Sequence, residues 1–304
     1  MKRALIATLF NEADNVSRWW DSIVRQTVLP HELVIVDGGS TDGTWERLQE
    51  LARSSPVPVR LKQQRCNIAE GRNLAIKMTG AEIIASSDAG SFPDPRWFSE
   101  ITRPLLENAA IDIVGGKNVL LAENEFQKFA ARMEGVPAEP KEGERQGSAR
   151  NTAYRRAAWA AVGGYPEWLT LTGEDALFNW QLFKLGKRFS YNPAAVVRWQ
   201  MRETDAAYFK MYYQYGYGSA EALLDRSYFL RRILIMLFPP ILLFSRHRFA
   251  FVGFRYRRNV ASATGWLAGQ LQGHRPPPGW CRREGILLSP EAQAGLARRR
   301  VPIS

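Results

Sequence analysis

The sequence predicts an α/β protein with a mostly parallel central sheet, followed by a helical C-terminal region. Three observations carry that expectation. Short apolar runs of strand length alternate with helical patterns through the first two hundred residues. Two of those strand runs deliver an aspartate, Asp37 and Asp88, where an open parallel sheet places its ligands, beyond the carboxyl ends of its strands. After Trp199 the alternation stops and long aromatic and apolar helical patterns replace it.

The elements follow in order. Ala4–Phe10 reads as a buried strand, and Ala13–Gln26 carries Val16, Trp19, Trp20, Ile23 and Val24 at helical spacing. Leu33–Val36 is a second strand, closed by the turn-forming run Asp37-Gly38-Gly39-Ser40. Thr44–Ala52 suits a helix, with Asp42 available to cap it. Val59–Lys62, Ile83–Ser86 and Ile111–Val114 are further strands, with helices at Ile68–Met78 and Trp97–Leu106. Glu203–Asp225 is a long helical candidate rich in tyrosine. Ile233–Phe244 is apolar, but twelve residues interrupted by Pro239-Pro240 are too short to span a bilayer as one helix. The tail from Pro276-Pro277-Pro278 reads as irregular until a short amphipathic piece near Ala292–Arg299. The predicted division is an α/β domain over 1–204 and a helical, basic region over 205–304.

Composition narrows the function classes. A hydrophobic content of 45% and an aromatic content of 12% support a packed core and exclude wholesale disorder. Cys66 and Cys281 stand alone, without disulfide-framework or zinc spacing, which fits a reducing compartment. The polar continuation after the N-terminal apolar run argues against a secretory signal. Of a net charge of +11, residues 245–304 hold +9, from eleven arginines against Glu284 and Glu291. A basic terminal segment points to an anionic partner. Arginine interleaved with Phe and Tyr over Arg246–Arg258, beside the apolar block, favours a membrane interface, with Arg meeting lipid headgroups. No nucleic-acid reading module accompanies the charge, so nucleic acid is not an expected partner.

Three segments carry chemistry. In Ile35-Val36-Asp37-Gly38-Gly39-Ser40-Thr41-Asp42-Gly43-Thr44, an acid at a strand end followed by small residues lets backbone approach a flat or phosphorylated ligand. Asp37 is suited to accept an imide N–H of uracil or a ribose hydroxyl. In Ser87-Asp88-Ala89-Gly90, a strand delivers a carboxylate to a small-residue loop, where a hard cation would bridge it to a diphosphate. In Gly173-Glu174-Asp175, paired acids open a helix, and one of them is placed to act as a general base. Taken singly, each segment is equally an ordinary turn or helix cap.

Taken together and in order, they resemble the family 2 glycosyltransferases of the GT-A fold. The matching pieces are Thr8-Leu9-Phe10-Asn11-Glu12, Val36–Thr44, Glu70-Gly71-Arg72-Asn73, Ser87-Asp88-Ala89-Gly90, Gly163-Gly164-Tyr165 and Gly173-Glu174-Asp175. They span roughly the first two-thirds of the chain. The resemblance implies a GT-A-like fold and an inverting transfer of sugar from a nucleoside-diphosphate donor, a UDP-sugar by preference, to a hydroxyl acceptor. It implies a donor site with Phe10, Asn11, Glu12, Asp37, Gly39, Ser87, Asp88 and Ala89, with Arg72 and Asn73 on its floor. It implies Asp175 as the catalytic base, Glu174 beside it, and Mg²⁺ or Mn²⁺ at Asp88.

Two departures from the family pattern bear on this reading. Gly90 stands where the second Asp of Asp-x-Asp is usual, leaving one metal-ligating carboxylate unless Asp94 compensates. That substitution also raises the alternative of a catalytically silent binding or scaffold protein. Arg198-Trp199 is present, but Ala195 replaces the glutamine of the processive Gln-x-x-Arg-Trp motif, so the non-processive type is expected. Arg198 or Arg202 is placed to grip a diphosphate, and Trp199 to stack on a sugar. A nucleotidyltransferase would carry a basic Gly-rich loop near the N-terminus, and none is seen. The expected acceptor is a lipid-linked or membrane-proximal glycan in polysaccharide or glycolipid biosynthesis. The expected location is the cytoplasmic face of the cell membrane, held peripherally.

Overall fold

Strand β1 (Arg3–Leu9) shows why both faces of the sheet are covered. Ala4 and Ile6 enter one core with Val34, Val36 and Ile84, while Leu5, Ala7 and Leu9 enter another with Leu33, Ile35 and Ile83. Successive strand residues point to opposite faces, so an apolar run of this kind requires a packed layer on each side. The computed structural model describes residues 1–135, 139–141, 143–144, 148–224, 226–238, 251–283 and 285–299.

Strands β2 (Glu32–Asp37), β3 (Val59–Gln63) and β4 (Ile83–Ser86) join β1 in a parallel set, with β1 between β2 and β4. Four further strands were shorter or less apolar in sequence: β5 (Ser91–Pro93), β6 (Ile113–Leu121), β7 (Thr152–Arg155) and β8 (Phe189–Gln200). They extend the sheet to eight strands in the order β3-β2-β1-β4-β7-β6-β8-β5. β7 is antiparallel to both neighbours, β8 is parallel to β6, and β5 is antiparallel to β8.

Helices α1 (Ala13–Val24), α2 (Thr44–Arg53) and α4 (Trp97–Glu107) cover the face that buries Leu5 and Ile35, through Trp19, Leu48, Trp97 and Ile101. The other face takes α3 (Ile68–Met78), α6 (Arg156–Ala161) and α7 (Glu174–Lys184), through Ala75, Ala158, Leu177 and Phe178. Asp42 serves two helices at once, as its Oδ1 accepts from the Thr44 N–H at 3.1 Å and its Oδ2 from the Ala13 N–H at 3.0 Å. Between β6 and β7 lies α5 (Glu125–Glu134), whose Asn124 and Gln127 form a reciprocal capping box.

The change from sheet to helices falls between Gln200 and Asp205. Helices α8 (Asp205–Glu221), α9 (Arg226–Leu237) and α10 (Val252–Gln272) form a bundle in which small residues such as Gly216 and Gly265 let α8 and α10 approach closely. The apolar block predicted over 233–244 begins inside α9, and positions 239–244 lie outside the described residues. Likewise 246–250 of the aromatic-basic stretch lie outside them, while the remainder forms the start of α10. No helix among the described residues is long and apolar enough to cross a membrane.

The tail differs from its irregular reading. Strands β9 (Cys281–Arg283) and β10 (Ile286–Leu288) form a hairpin, and α11 (Pro290–Arg299) follows. Ile286, Leu287, Leu288 and Ala292 are buried in the same core as α7. Three consecutive apolar residues after a Gly turn were the available signal, and burial on the α/β core is what gives them order.

Candidate active site

Asp37 is the last residue of β2 and is fully buried. Its Oδ1 accepts from the N–H groups of Gly39 at 3.0 Å and Ser40 at 2.9 Å, and from Gln63 Nε2 at 3.1 Å. Its Oδ2 is buried with no hydrogen-bond partner. An orphaned buried acceptor is costly, and no protein donor relieves it here. Opposite, Asn11 in a left-handed conformation (φ 54°) holds the facing loop, its Oδ1 accepting from the Thr41 N–H and its own N–H donating to Ser40 Oγ.

Arg72 links two of the acidic motifs. It lies on α3, which sits tightly on β1 because Gly71 has no Cβ to meet the Thr8 methyl, 2.4 Å from where one would stand. Arg72 is 1% exposed. Its Nη2 donates to Asp88 Oδ1 at 2.8 Å, and its Nη1 donates to Glu174 Oε1. One buried cation thus binds the loop after β4 to the first turn of α7. The two carboxylates hold the guanidinium firmly protonated despite burial. Burial and the neighbouring Asp175 push the Glu174 carboxyl above its usual range, against the pull of Arg72.

Asp88 and Asp175 face adjoining cavities. The first, about 500 Å³, is lined by Phe10, Asn11, Glu12, Asp88, Ala89 and Arg202 among others. Burial raises the carboxyl pKa of Glu12, partly offset by the hydrogen bond from Asn15. The second cavity, about 410 Å³, is lined by Asp175 with Ser148, Tyr212 and Tyr215. Asp175 is oriented by the Ala149 N–H, which donates to Oδ2 at 3.1 Å, and by the Ala176 N–H, which donates to Oδ1 at 2.7 Å. Trp199, Met201 and Arg150 line both cavities and form the wall between them.

Sequence reasoning missed Arg150. It sits on a single 3₁₀ turn (Ala149–Asn151), where periodicity gives no signal. Its guanidinium lies 4.1 Å from the Trp199 ring centroid, and its Nε is buried without a partner. The turn that positions Arg150 is the one whose Ala149 N–H orients Asp175, so the cation and the carboxylate are placed by one backbone segment.

Other predicted residues fall elsewhere. Arg198 is spent on Asp94, with Nε to Oδ1 at 2.9 Å, so neither joins Asp88. The reason is register: antiparallel pairing of β5 with β8 sets Phe92 opposite Arg198 and leaves Asp94 beside it. Asn73 is buried, and its amide is fully used by Tyr165, Glu167 and Trp159, so it supports the Gly163-Gly164-Tyr165 turn from below. Ser87 is buried under the loop, accepting from Trp19 Nε1 at 3.1 Å. Gly39 serves Asp37 through its N–H.

A divalent cation meets a sparse donor set. Among the described residues no three His, Cys, Asp or Glu side chains converge. Gly90 has a φ of 78°, and the nearest atom to a Cβ built on it is Asn15 Nδ2 at 4.0 Å, so the missing second carboxylate leaves open space. With Oδ1 of Asp88 held by Arg72, Oδ2 is the oxygen left for a metal. That set fits a cation whose other ligands are phosphate oxygens and water, as Mg²⁺ accepts.

Residues 5–144 match the sequence family Glycosyl transferase family 2. Over 234 residues the chain is 27% identical to the O-antigen chain rhamnosyltransferase RfbN of Salmonella typhimurium, covering 71% of this chain and 72% of that protein. The chain carries a family 2 glycosyltransferase domain over residues 5–144. This glycosyltransferase is also 27% identical over 256 residues to the succinoglycan biosynthesis protein ExoA of Rhizobium meliloti, covering 78% of the chain and 75% of that protein. Its fold is that of the mannosyltransferase PcManGT from Pyrobaculum calidifontis, solved with GDP-Man and Mn²⁺ (TM-score 0.56, 18% identity, 100% of this chain and 76% of that one). It is likewise that of S. aureus TarS 1-349, solved with UDP (TM-score 0.52, 15% identity, 94% and 96% covered).

Proposed function

We propose that this glycosyltransferase moves a sugar from a nucleoside-diphosphate sugar to a hydroxyl of a lipid-linked or membrane-proximal glycan, with inversion at the anomeric carbon. The observation that carries the reading is the pair of adjoining cavities, one bearing Asp88 and the other Asp175, with Arg72 tying their motifs together. The donor occupies the Asp88 cavity, with its base towards the free Oδ2 of Asp37 and its diphosphate towards Asp88, Arg202 and Arg150. The acceptor enters the second cavity, where Trp199 offers a sugar-stacking face.

Asp175 takes the proton of the acceptor hydroxyl as that oxygen attacks the anomeric carbon from the side opposite the diphosphate. A single displacement inverts the centre. Charge developing on the leaving diphosphate is met by Arg150 and Arg202, fixed cations at the place where it appears. A divalent cation held by Asp88 and the diphosphate would supply further neutralisation of the leaving group. The relatives' names, an O-antigen chain rhamnosyltransferase and a succinoglycan biosynthesis protein, support a polysaccharide-type acceptor. The basic helical region supports placement at the inner face of a membrane.

Thermal shift with UDP, GDP, UDP-GlcNAc and GDP-mannose, with and without Mn²⁺, tests the donor assignment. Bound ligand stabilises by about 2.7 kcal/mol at one hundred times its Kd. The expected result is a selective rise with uridine nucleotides. No rise with any nucleotide would remove the donor site from this cavity.

A further inference from the structure

Tyr208, Met211, Tyr212 and Tyr215 stand at positions i, i+3, i+4 and i+7 of α8, so one face of that helix carries all four. They line the Asp175 cavity together with Trp199 and Glu134. Tyr208 is fully buried, whereas Tyr212 and Tyr215 are half-buried, their rings meeting edge to face with centroids 5.9 Å apart. Glu134, the last residue of α5, accepts from the hydroxyls of Tyr208 and Tyr212 on Oε1, and its Oε2 meets Arg258 Nη1 at 3.3 Å. Burial and the neighbouring Glu134 push the Tyr212 phenol well above its ordinary value, so it stays a donor. A carboxylate accepts about four hydrogen bonds, which leaves acceptor capacity on Oε2.

The same helix is fastened to the turn that delivers Asp175. Thr172 Oγ1 donates to the Gln214 carbonyl at 2.9 Å, and the Thr170 N–H donates to Glu221 Oε2 at 3.0 Å. Glu221 is buried near the end of α8 and also accepts from the Thr170 hydroxyl at 2.9 Å. Gly218 lets the two backbones touch, since a Cβ built on it would stand 2.0 Å from the Thr172 carbonyl oxygen. Gly173, in a left-handed conformation (φ 96°), then starts α7 with Glu174 and Asp175. Residues 170–173 therefore hold the tyrosine face and the carboxylate in one register.

We propose that α8 is the acceptor-recognition element: Tyr212 and Tyr215, with Trp199, stack on a pyranose ring of the acceptor, and Glu134 accepts from one of its hydroxyls. This rests on the reading of the Asp175 cavity as the acceptor site. A pyranose shows C–H groups on its faces and hydroxyls at its edge, which aromatic faces beside a carboxylate complement. The clasp at Thr172 and Gly218 makes those two positioning residues. It fixes how far the bound sugar lies from Asp175, and a misplacement of about 1 Å is enough to slow a reaction a hundredfold. The tyrosine-rich stretch conspicuous in the sequence thus belongs to the active site, and the helical region does more than meet an anionic surface.

The test titrates the full chain, at saturating UDP, with the methyl glycosides of glucose, galactose, mannose and rhamnose, read by saturation-transfer NMR. At least one is expected to bind without displacing UDP, with saturation strongest on the ring C–H protons of one face. Tyr215→Ala is expected to weaken it about tenfold, and Tyr215→Phe, which keeps the ring, to leave affinity near native. Glu134→Gln should weaken it several-fold. Thr172→Val, which removes the bond to Gln214, should lower turnover of that glycoside about tenfold while its affinity stays near native. An intact UDP-induced thermal shift shows that each variant is folded. Binding of none of the glycosides, competition with UDP, or affinity indifferent to Tyr215→Ala would overturn the proposal. Equal losses in Tyr215→Ala and Tyr215→Phe would refute the stacking, and a loss of affinity in Thr172→Val as large as its loss of turnover would refute the positioning. Should Asp175→Asn abolish transfer while Tyr215→Ala leaves glycoside binding untouched, the functional reading stands and this proposal falls. Should Asp175→Asn leave transfer unchanged while Tyr215→Ala weakens the glycoside, the functional reading fails and the sugar site stands.

Discussion

Two arginines, both nearly inaccessible, mark two regions built on opposite electrostatic plans. Arg72 beneath the sheet edge has carboxylates on both sides, Asp88 and Glu174, which balance its charge, although its Nε is buried without a partner. Among the described residues Arg232 in the helical bundle donates only to neutral groups, Asn259 and Tyr228, with Arg258 nearby. The contrast teaches where each region obtains its order. Around Arg72 the protein fixes its own acids in place through ion pairs, the arrangement that the proposed donor and base sites would need. Around Arg232 no carboxylate among the described residues supplies a hydrogen-bonded counter-charge.

Removing each arginine should expose that difference. Arg72→Met strands two carboxylates in a buried setting, with an expected loss of about 3–5 kcal/mol in unfolding free energy. Arg232→Gln relieves a surplus cation and loses only neutral hydrogen bonds, so its cost should stay near 1 kcal/mol. Urea unfolding of both variants decides it, and equal losses would erase the distinction.

A smaller effect is expected at Gly90. Gly90→Asp places a second carboxylate in open space, at a left-handed φ that costs about 1–2 kcal/mol. Its Mn²⁺ affinity in the absence of nucleotide should rise over the native protein, which is expected to bind Mn²⁺ detectably only with UDP. Titration calorimetry reads both, and nucleotide-free Mn²⁺ binding by the native chain would contradict the single-carboxylate site.

The smallest expected effect is at Glu12. Burial raises its carboxyl pKa in the folded state above the ordinary 4.5. The folded protein therefore holds that proton more tightly than the unfolded chain. Stability is lost as pH climbs from 4.5 towards the folded value, and the deficit persists above it. Glu12→Gln should flatten that part of the pH–stability curve, and an unchanged slope would refute the assignment.

The half of the molecule around Arg72 was largely legible in the sequence. Apolar runs β1 to β4 with intervening amphipathic helices declare a two-faced sheet, and the acids at their ends are conspicuous. What could not be read was partnership. Arg72 belonged visibly to Glu-Gly-Arg-Asn, but its reach to both Asp88 and Glu174 depends on α3 packing against β1. Strands β5, β7 and β8 went unseen because they are short or interrupted (β8 contains Pro193), and their stability comes from pairing with distant partners. Arg150 was hidden for a related reason: a lone arginine in a turn gains meaning only when Trp199, some fifty residues later, lies under it. In the C-terminal region charge and hydrophobicity were evident, and their arrangement into a cavity was not.

The central proposal is that Asp175 acts as the base, in a cavity adjoining the Asp88 cavity proposed for the donor. It is tested most directly by Asp175→Asn, which keeps an oxygen to accept from the Ala149 N–H. The nucleotide sugar that most stabilises the native protein is supplied, and release of nucleoside diphosphate is followed together with the UDP-induced thermal shift. Turnover should fall by about 10²–10⁴-fold with the thermal shift intact. Unchanged turnover would contradict the account.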